Sequence, residues 1–236
     1  MYLPTPSQTS DYELPPAGGP YVAVCTRFID LGTQYSEHFN KSAHKVMIGW
    51  ELADIADSQN RPYQIAKRYT FSMHEKSALR KDLEAWRGRP FVDTDFGPGG
   101  FNTSKLLGKA CQMMISHTTN ADKTYANVQT IMAMGKGMTV PEALSPLEYL
   151  ALSADEFDPK LYATLSDGLR KVIEQSPEYQ RLSGAKPAPA QPPRTQAPQA
   201  AQARRETQAQ AQAWSQAETQ VNGGGLSPDL NDEIPF

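Results

Sequence analysis

Alternate residues between His44 and Leu52 are large and apolar, and this spacing is the strongest structural signal in the chain. The apolar set is Val46, Ile48, Trp50 and Leu52, with Lys45, Met47, Gly49 and Glu51 between them. A period of two places successive side chains on opposite faces of a β-strand. The stretch therefore predicts a strand with one face on an apolar core, and the fold has to provide a sheet around it.

Four further segments have strand character. In chain order the five candidates are Tyr21–Leu31, His44–Leu52, Pro62–Met73, Ala110–His117 and Lys123–Ala133. Between the third and the fourth, Ser72–Glu75 matches a capping box, which predicts a helix over Glu75–Arg87 that Gly88 ends. Five strands with a helix in this position is the element order of an oligonucleotide-binding (OB) barrel, although other small barrels also contain five short strands. The predicted fold class is mainly β, a five-stranded OB barrel.

Three local features complete this prediction. Leu79, Leu83 and Trp86 form one stripe of the helix and should be buried. The polar stretch Gly32–Asn40 is expected to be an exposed loop. In the third strand Lys67 interrupts the apolar parity, and a β-bulge near it would resolve the conflict.

The segment 146–182 has helical character. Asp158 can cap a helix that begins at Pro159. The apolar stripe of this helix is Leu161, Leu165, Leu169, Val172 and Ile173. We expect the segment to pack on the barrel and not to form an independent domain.

The composition changes abruptly at Ala185. Residues 185–221 contain 11 Ala, nine Gln and five Pro, so little apolar surface could offset the entropy of ordering them. The sequence predicts five regions: a flexible arm (1–19), an OB domain (20–138), a helical appendage (139–184), a disordered tether (185–228) and a tip (229–236). A flexible coil of about 40 residues spans roughly 35 Å on average.

The net charge of −3 hides a segregation of charge along the chain. Residues 41–137 carry 14 Lys and Arg against nine Asp and Glu, whereas residues 140–179 carry three against eight. A local basic surface attracts a polyanion whatever the total charge.

Cys25 and Cys111 lie on different predicted strands among apolar residues, which predicts two buried thiols in a reducing cytoplasm. No pair of Cys or His residues has the spacing of zinc ligands, so neither a metal nor another cofactor is expected. Residues 1–20 lack the order of a signal peptide, and no apolar run approaches the about 20 residues of a membrane helix. We expect a cytoplasmic protein without a membrane partner.

The chain ends in an acidic run followed by an apolar tip. The residues predicted to dock a partner protein are Asp229, Asp232, Glu233, Ile234, Pro235 and Phe236. An apolar wedge beside negative charge suits a pocket ringed by Lys or Arg. This end resembles the acidic C-terminal tip of bacterial single-stranded DNA-binding proteins, although Asn231 interrupts the acidic run and Glu233 replaces the usual Asp. A frayed acidic terminus without a role is the alternative.

Several stretches of the folded region are similar to a phage-encoded family of single-stranded DNA-binding proteins. They are Tyr21–Gly32, His44–Leu52, Tyr69–Trp86 and Thr124–Val128, and Glu174–Tyr179 fits the same pattern. The resemblance implies an OB fold that coats single-stranded DNA without reading its sequence, in phage DNA replication, recombination or repair within a bacterial host cell. Together with the tip, it implies recruitment of replication or recombination proteins. A homo-oligomer is left open.

Sequence-independent binding of a single strand needs cations for phosphates and aromatic faces for bases. The candidate cations are Lys45, Lys67, Arg68, Arg80, Lys81 and Lys123, although any one of them alone is also typical of ordinary solvated surface. Tyr125 is the preferred stacking residue because it shares a polar strand face with Lys123 and Asn127. Tyr35 and Phe39 follow. Trp50 and Trp86 lie on apolar faces and are expected in the core.

Two other functions fit parts of the sequence. A metal-dependent nuclease would use Asp93, Asp95 and His117, but two carboxylates in a Gly/Pro-rich stretch are more typical of turns, so no enzymatic activity is expected. An adaptor that binds protein through its barrel and does not bind DNA is the second hypothesis. Under that hypothesis, replacing the candidate cations would leave function intact.

Deletion of Asp229–Phe236 tests the predicted division of labour. Because the deletion removes negative charge and the docking peptide, affinity for oligo-dT should stay unchanged or rise, while capture of replication or recombination proteins should be lost. Anisotropy of a labelled oligo-dT and pull-down of such proteins measure the two activities. Loss of DNA binding by the shortened protein would contradict the division.

Overall fold

The computed structural model describes residues 13–37, 40–97, 99–121 and 123–184. Its strands are β1 (Gly18–Ser36), β2 (Lys41–Ala56), β3 (Pro62–Thr70), β4 (Ala110–Asn120), β5 (Lys123–Met132) and β6 (Glu148–Leu150). Its helices are α1 (Ala78–Arg87), α2 (Pro159–Thr164), α3 (Asp167–Glu174) and α4 (Pro177–Leu182), with 3₁₀ turns at Asp93–Asp95 and Thr103–Leu106. The architecture is mainly β, as predicted. None of the described helices is long and apolar enough to cross a bilayer.

The long strand β1 organises the sheet. Its first part pairs with β4, from Gly18 to Val24, and from Ala23 onward it pairs with β2. β6 adds a short parallel ladder at Arg27–Ile29. The strand order is β3-β2-β1-β4-β5, and β1 to β5 are antiparallel. Among the described residues no backbone ladder joins the edge strands β3 and β5, although they touch, and α1 lies against both of them.

One face of the sheet and α1 enclose the main core. The alternate residues Val46, Ile48, Trp50 and Leu52 are all buried there, and the helix contributes Leu79, Leu83 and Trp86, as predicted. The start of the helix was predicted wrongly. Ser77 is its N-cap and accepts the N–H of Arg80 at 3.2 Å, because a turn from His74 to Ser77 intervenes after Ser72. Gly88, with φ +69°, ends the helix as predicted.

Two strand predictions also need correction. β1 continues to Ser36, where a loop was expected, because Thr33–Ser36 pairs with the first residues of β2 and lengthens the hairpin. The predicted bulge near Lys67 is wrong as well, since the ladder between β2 and β3 runs unbroken past it. The Lys67 ammonium instead donates to the Asp82 carboxylate of α1 at 2.7 Å. This ion pair neutralises the positive charge of Lys67 on the face of β3 that is turned toward the main core.

The second face of β1 and β2 is also buried, because the C-terminal segment covers it. Ile29, Leu31 and Met47 pack against a second apolar cluster. The appendage contributes Leu150, Leu152, Leu165, Leu169 and Ile173 to that cluster. The segment therefore packs on the sheet. The sequence did not predict β6, nor the division of the helical stripe into α2, α3 and α4.

Local hydrogen bonds account for the division of the helical stripe. Asp158 caps α2 as predicted and accepts the N–H of Lys160 at 2.9 Å. Leu165 has extended backbone dihedrals and ends that helix. Ser166 and Ser176 then stand at the N-cap positions of α3 and α4.

Glu51 is completely buried although it was predicted on the outer face of its strand. Its carboxylate accepts the N–H groups of Leu144 at 2.5 Å and of Ser145 at 2.9 Å. A buried carboxylate is tolerated when such donors satisfy it. Glu51 therefore fixes the connection between β5 and β6 against β2.

Both cysteines are free and buried, as predicted. Burial raises the pKa of Cys25 to about 12 and raises the pKa of Cys111 as well. The two side chains therefore behave as small apolar core residues.

Gly32 marks the closest approach between β1 and the appendage. Its φ of +66° is left-handed, and a Cβ at this position would lie 2.4 Å from the Cβ of Ser176. The next residue, Thr33, holds the appendage by donating both its N–H (2.8 Å) and its hydroxyl (2.7 Å) to the Glu178 carboxylate. A side chain at Gly32 would therefore displace the beginning of α4.

Gly32→Ala should lower the free energy of unfolding by roughly 2–5 kcal/mol, because left-handed strain adds to a steric clash. Gly137→Ala is the matched control, since Gly137 has φ +81° and no described atom within 4 Å of an added Cβ. Strain alone should cost that variant roughly 1–2 kcal/mol. Denaturant unfolding measures both. Equal losses would contradict the predicted clash with Ser176.

Candidate nucleic-acid interface

Two predicted cations share one face of the β2–β3 hairpin. Lys45 stands opposite Thr70 and Arg68 opposite Met47, so all four side chains lie on the face away from the main core. The Lys45 ammonium donates to the Thr70 hydroxyl at 2.6 Å, and Arg68 is exposed. Neither cation forms an ion pair with a carboxylate among the described residues. Both charges are therefore free to meet an anion.

A second group lies on the β4–β5 hairpin. Ile115 is opposite Gly18, the first residue of β1, so the rest of the hairpin continues past the end of that strand. Lys123 and Tyr125 lie on this continuation, on the same exposed face, and the tyrosine is 50% exposed. The polar face predicted for Tyr125 is confirmed.

Tyr35 lies on the β1–β2 hairpin, at the opposite end of β1 from Tyr125. It is 52% exposed, and its hydroxyl donates to the side-chain oxygen of Asn40 at 2.5 Å. Phe39 lies outside the described residues. These predicted site residues thus fall into three groups, one at the tip of the β1–β2 hairpin, one at the tip of the β4–β5 hairpin and one on the face between β2 and β3.

Ion pairs already engage two other candidate cations. Lys67 is paired with Asp82, and the Arg80 guanidinium is 2.9 Å from the Glu84 carboxylate. A phosphate at either position would have to compete with these carboxylates. Lys81 is exposed on α1. We therefore expect Lys67 and Arg80 to contribute less to anion binding than Lys45, Arg68 and Lys123.

Two exposed aromatic residues were not among the predicted site residues. Phe71 is 46% exposed and Phe96 is 39% exposed. Phe71 lies two residues after the buried Tyr69, so it would face the core if the strand continued. Because β3 ends at Thr70, the Phe71 ring lies at the edge of the core and is partly exposed. Phe96 directly precedes Gly97, and an aromatic residue in a glycine-rich loop is the sequence signal that could have identified it.

Both tryptophans proposed as core residues are buried, as predicted. Trp50 and Trp86 pack with their ring centroids 5.9 Å apart. The indole N–H of Trp86 donates to the carbonyl of Ala110 at 2.8 Å. Neither ring is placed to stack on a base.

The residues weighed for a nuclease have other partners. Arg87 donates to Asp95 at 3.1 Å, and this hydrogen bond, followed by that from the Val92 N–H, lowers the pKa of the carboxyl group. His117 lies 2.8 Å from the carbonyl oxygen of Pro15. Within the described ranges, no group of three or more His, Cys, Asp or Glu side chains is arranged to hold a metal ion.

The predicted tether and the docking residues of the tip lie outside the described residues. A scan against protein-family models finds no match to this chain, and no curated protein matches it. The positions of the cations and aromatic rings therefore carry the functional argument.

His44 joins the β1–β2 hairpin to the appendage. Its Nε2 lies 2.7 Å from an Asp30 oxygen and its Nδ1 lies 4.0 Å from Glu178. The hydrogen bond to Asp30 raises the pKa of His44, burial opposes this, and the charges of Asp30 and Glu178 add to the increase. The ring also contacts Phe71, with centroids 5.5 Å apart.

His44 should therefore stabilise the fold at low pH. Because its folded pKa is raised, its contribution is fully present below the unfolded value of about 6.5 and is lost as pH rises through the folded value. We expect His44→Gln to lower the melting temperature more at pH 6 than at pH 9. His74→Gln is the control, since His74 is exposed and its ring accepts the N–H of Lys76. An equal loss of melting temperature at pH 6 and pH 9 would contradict a stabilising contact between charged His44 and Asp30.

Proposed function

We propose that residues 20–138 form an OB-type barrel that binds single-stranded DNA without sequence preference, and that residues 229–236 dock replication or recombination proteins. The observation that carries the proposal is the placement of Lys45, Arg68 and Lys123. These cations lack ion-pair partners among the described residues, and one of them shares a strand face with an exposed tyrosine.

The strand arrangement supports the barrel. β1 is shared by β2 and β4, the edge strands β3 and β5 touch, and α1 lies across both edges. An OB barrel is a partly open barrel of five strands, and the element order found here fits it. In the proposed barrel the two hairpin tips would flank the part of the outer face of β2 and β3 that the C-terminal segment leaves uncovered, where Arg68 is exposed.

The side chains on these surfaces suit an unpaired strand. Lys45, Arg68 and Lys123 would neutralise phosphates, which every sequence offers equally. Tyr125 and Tyr35 would stack on bases, and each stack contributes about 1–3 kcal/mol whichever base is present. Stacking requires bases that are not already stacked in a duplex, so the proposed site favours single strands. No catalytic step is assigned to this chain.

The expected result is tight, salt-sensitive binding of a labelled oligo-dT and weak binding of the matching duplex, measured by anisotropy over a range of salt concentrations. Each phosphate contact contributes about −0.7 to the slope of log K against log salt for a single strand. Replacing Lys45, Arg68 and Lys123 together by Ala should therefore make that slope shallower by about 2.

The matched control replaces Lys136, Lys160 and Lys171, which are exposed and lie elsewhere on the fold. It removes the same charge, so an equal change in slope would show that only net charge matters. Equal affinity of the unsubstituted protein for single strand and duplex would refute the proposed function and favour the adaptor.

A further inference from the structure

A pocket whose lining includes four phenylalanines lies beside α1. Its volume is about 80 Å³, and its lining includes Phe71, Met73, Leu83, Phe91, Phe96 and Phe101. Phe91 is buried, with Phe96 stacked on it at 5.8 Å and Phe101 edge-on at 5.5 Å between ring centroids. Phe71 and Phe96 are the exposed members of the lining. Apart from Phe71 and Met73, the lining comes from α1 and the connection to β4, so this pocket is distinct from the face that carries Lys45 and Arg68.

Two arginines, Arg80 and Arg87, hold the walls of the pocket in place. The Arg80 guanidinium donates to the carbonyl of Met73 at 3.1 Å and to that of Phe91 at 3.5 Å, which ties two walls together. It also lies 5.7 Å from the ring centroid of Phe96. Arg87 stacks 4.1 Å from the ring centroid of Phe91 and holds Asp95. A preformed site of this kind loses little entropy when a planar ring enters.

Size and charge restrict the occupant. An engineered cavity of about 150 Å³ holds benzene, so a pocket half that volume and open on one side accepts part of a single six-membered ring. A fused purine is too large to enter to the same depth. Residues 73–105, which supply all of the named lining except Phe71, carry six Lys and Arg against five Asp and Glu, and this small positive excess favours an occupant that carries negative charge. A pyrimidine base on a phosphate backbone combines both properties.

We infer that this pocket takes one pyrimidine base from the bound strand, as a subsite separate from the sheet face. The inference rests on the proposed function. The base lies against Phe71 and Phe96, the exposed rings of the lining, while the Thr103 hydroxyl and the Asp95 carboxylate are polar groups in the lining. An apolar wall with a few polar groups is the usual composition of a site for a small planar ligand.

Photocrosslinking of the full chain to oligo-dT that contains 5-iododeoxyuridine tests the inference, because crosslinks form at aromatic side chains in contact with the base. Mass spectrometry should locate crosslinks at Phe71 or Phe96. In parallel, Phe96→Ala should weaken oligo-dT binding between about fivefold and about 150-fold, the range expected for loss of one stacked base. Binding of oligo-dA should change less. Leu144→Ala, another exposed apolar residue (78% exposed), is the control and should leave both affinities unchanged.

The possible failures can be told apart. If the unsubstituted protein binds no oligonucleotide, the proposed function and the pocket assignment both fail. If it binds but crosslinks only at Tyr35 or Tyr125, and Phe96→Ala behaves like the control, only the pocket assignment is overturned. A Phe96→Ala protein that binds DNA normally but no longer binds a peptide of residues 229–236 would also overturn it, because the pocket would then hold a peptide.

Discussion

β1 forms backbone hydrogen bonds with three other strands, β2, β4 and β6. This pairing fixes the positions of the other strands, and the rest of the fold depends on it. β1 pairs with β4 along its first residues, with β2 along most of its length, and with β6 beyond Val24, which lies opposite the first residue of β4. Register shifts after Cys25 and after Asp30 interrupt its ladder with β2, and such irregularities bend a strand. Side chains of β1 enter both apolar clusters, Cys25 and Phe28 the main core and Ile29 and Leu31 the second. The β1–β2 hairpin lies at one end of β1, and the β4–β5 hairpin extends past the other end.

Both faces of β1 and β2 are buried, because apolar clusters pack on each side of these two strands. A strand with water on one face would show polar residues at every second position, whereas Ala23, Val24 and Cys25 are consecutive and all buried. The main core covers one side of β1 and β2, and the appendage covers the other. Contacts at Gly32, Thr33 and His44 make the appendage a structural part of the hairpin. A change in the appendage should therefore reach the surface that carries Tyr35.

Carboxylates divide the cations into two classes. Asp82, Glu84 and Asp95 each hold a Lys or Arg beside α1. The Lys67–Asp82 and Arg87–Asp95 pairs join the helix to β3 and to the loop after it, whereas the Arg80–Glu84 pair lies within the helix. Lys45, Arg68 and Lys123 lie on strand faces where the described residues offer no carboxylate within ion-pair distance. A polyanion gains most from the second class, because no ion pair among the described residues has to be broken. The division could not be read from the positions of Lys and Arg along the chain.

Local periodicity and spacing were enough to predict the core strand from Val46 to Leu52, the buried stripe of α1, the cap at Asp158 and the polar face of Tyr125. Each of these is a property of neighbouring residues, so the chain encodes it wherever the segment lies. The continuation of β1 to Ser36, the pairing of Lys67 with Asp82, the burial of Glu51 and the pocket around Phe91 were not predicted. Each of those requires knowing which distant segment lies opposite, and a single sequence does not specify that partner. Periodicity therefore predicted the strands and their buried faces, whereas contacts between distant segments determined which charges are neutralised and which aromatic rings reach the surface.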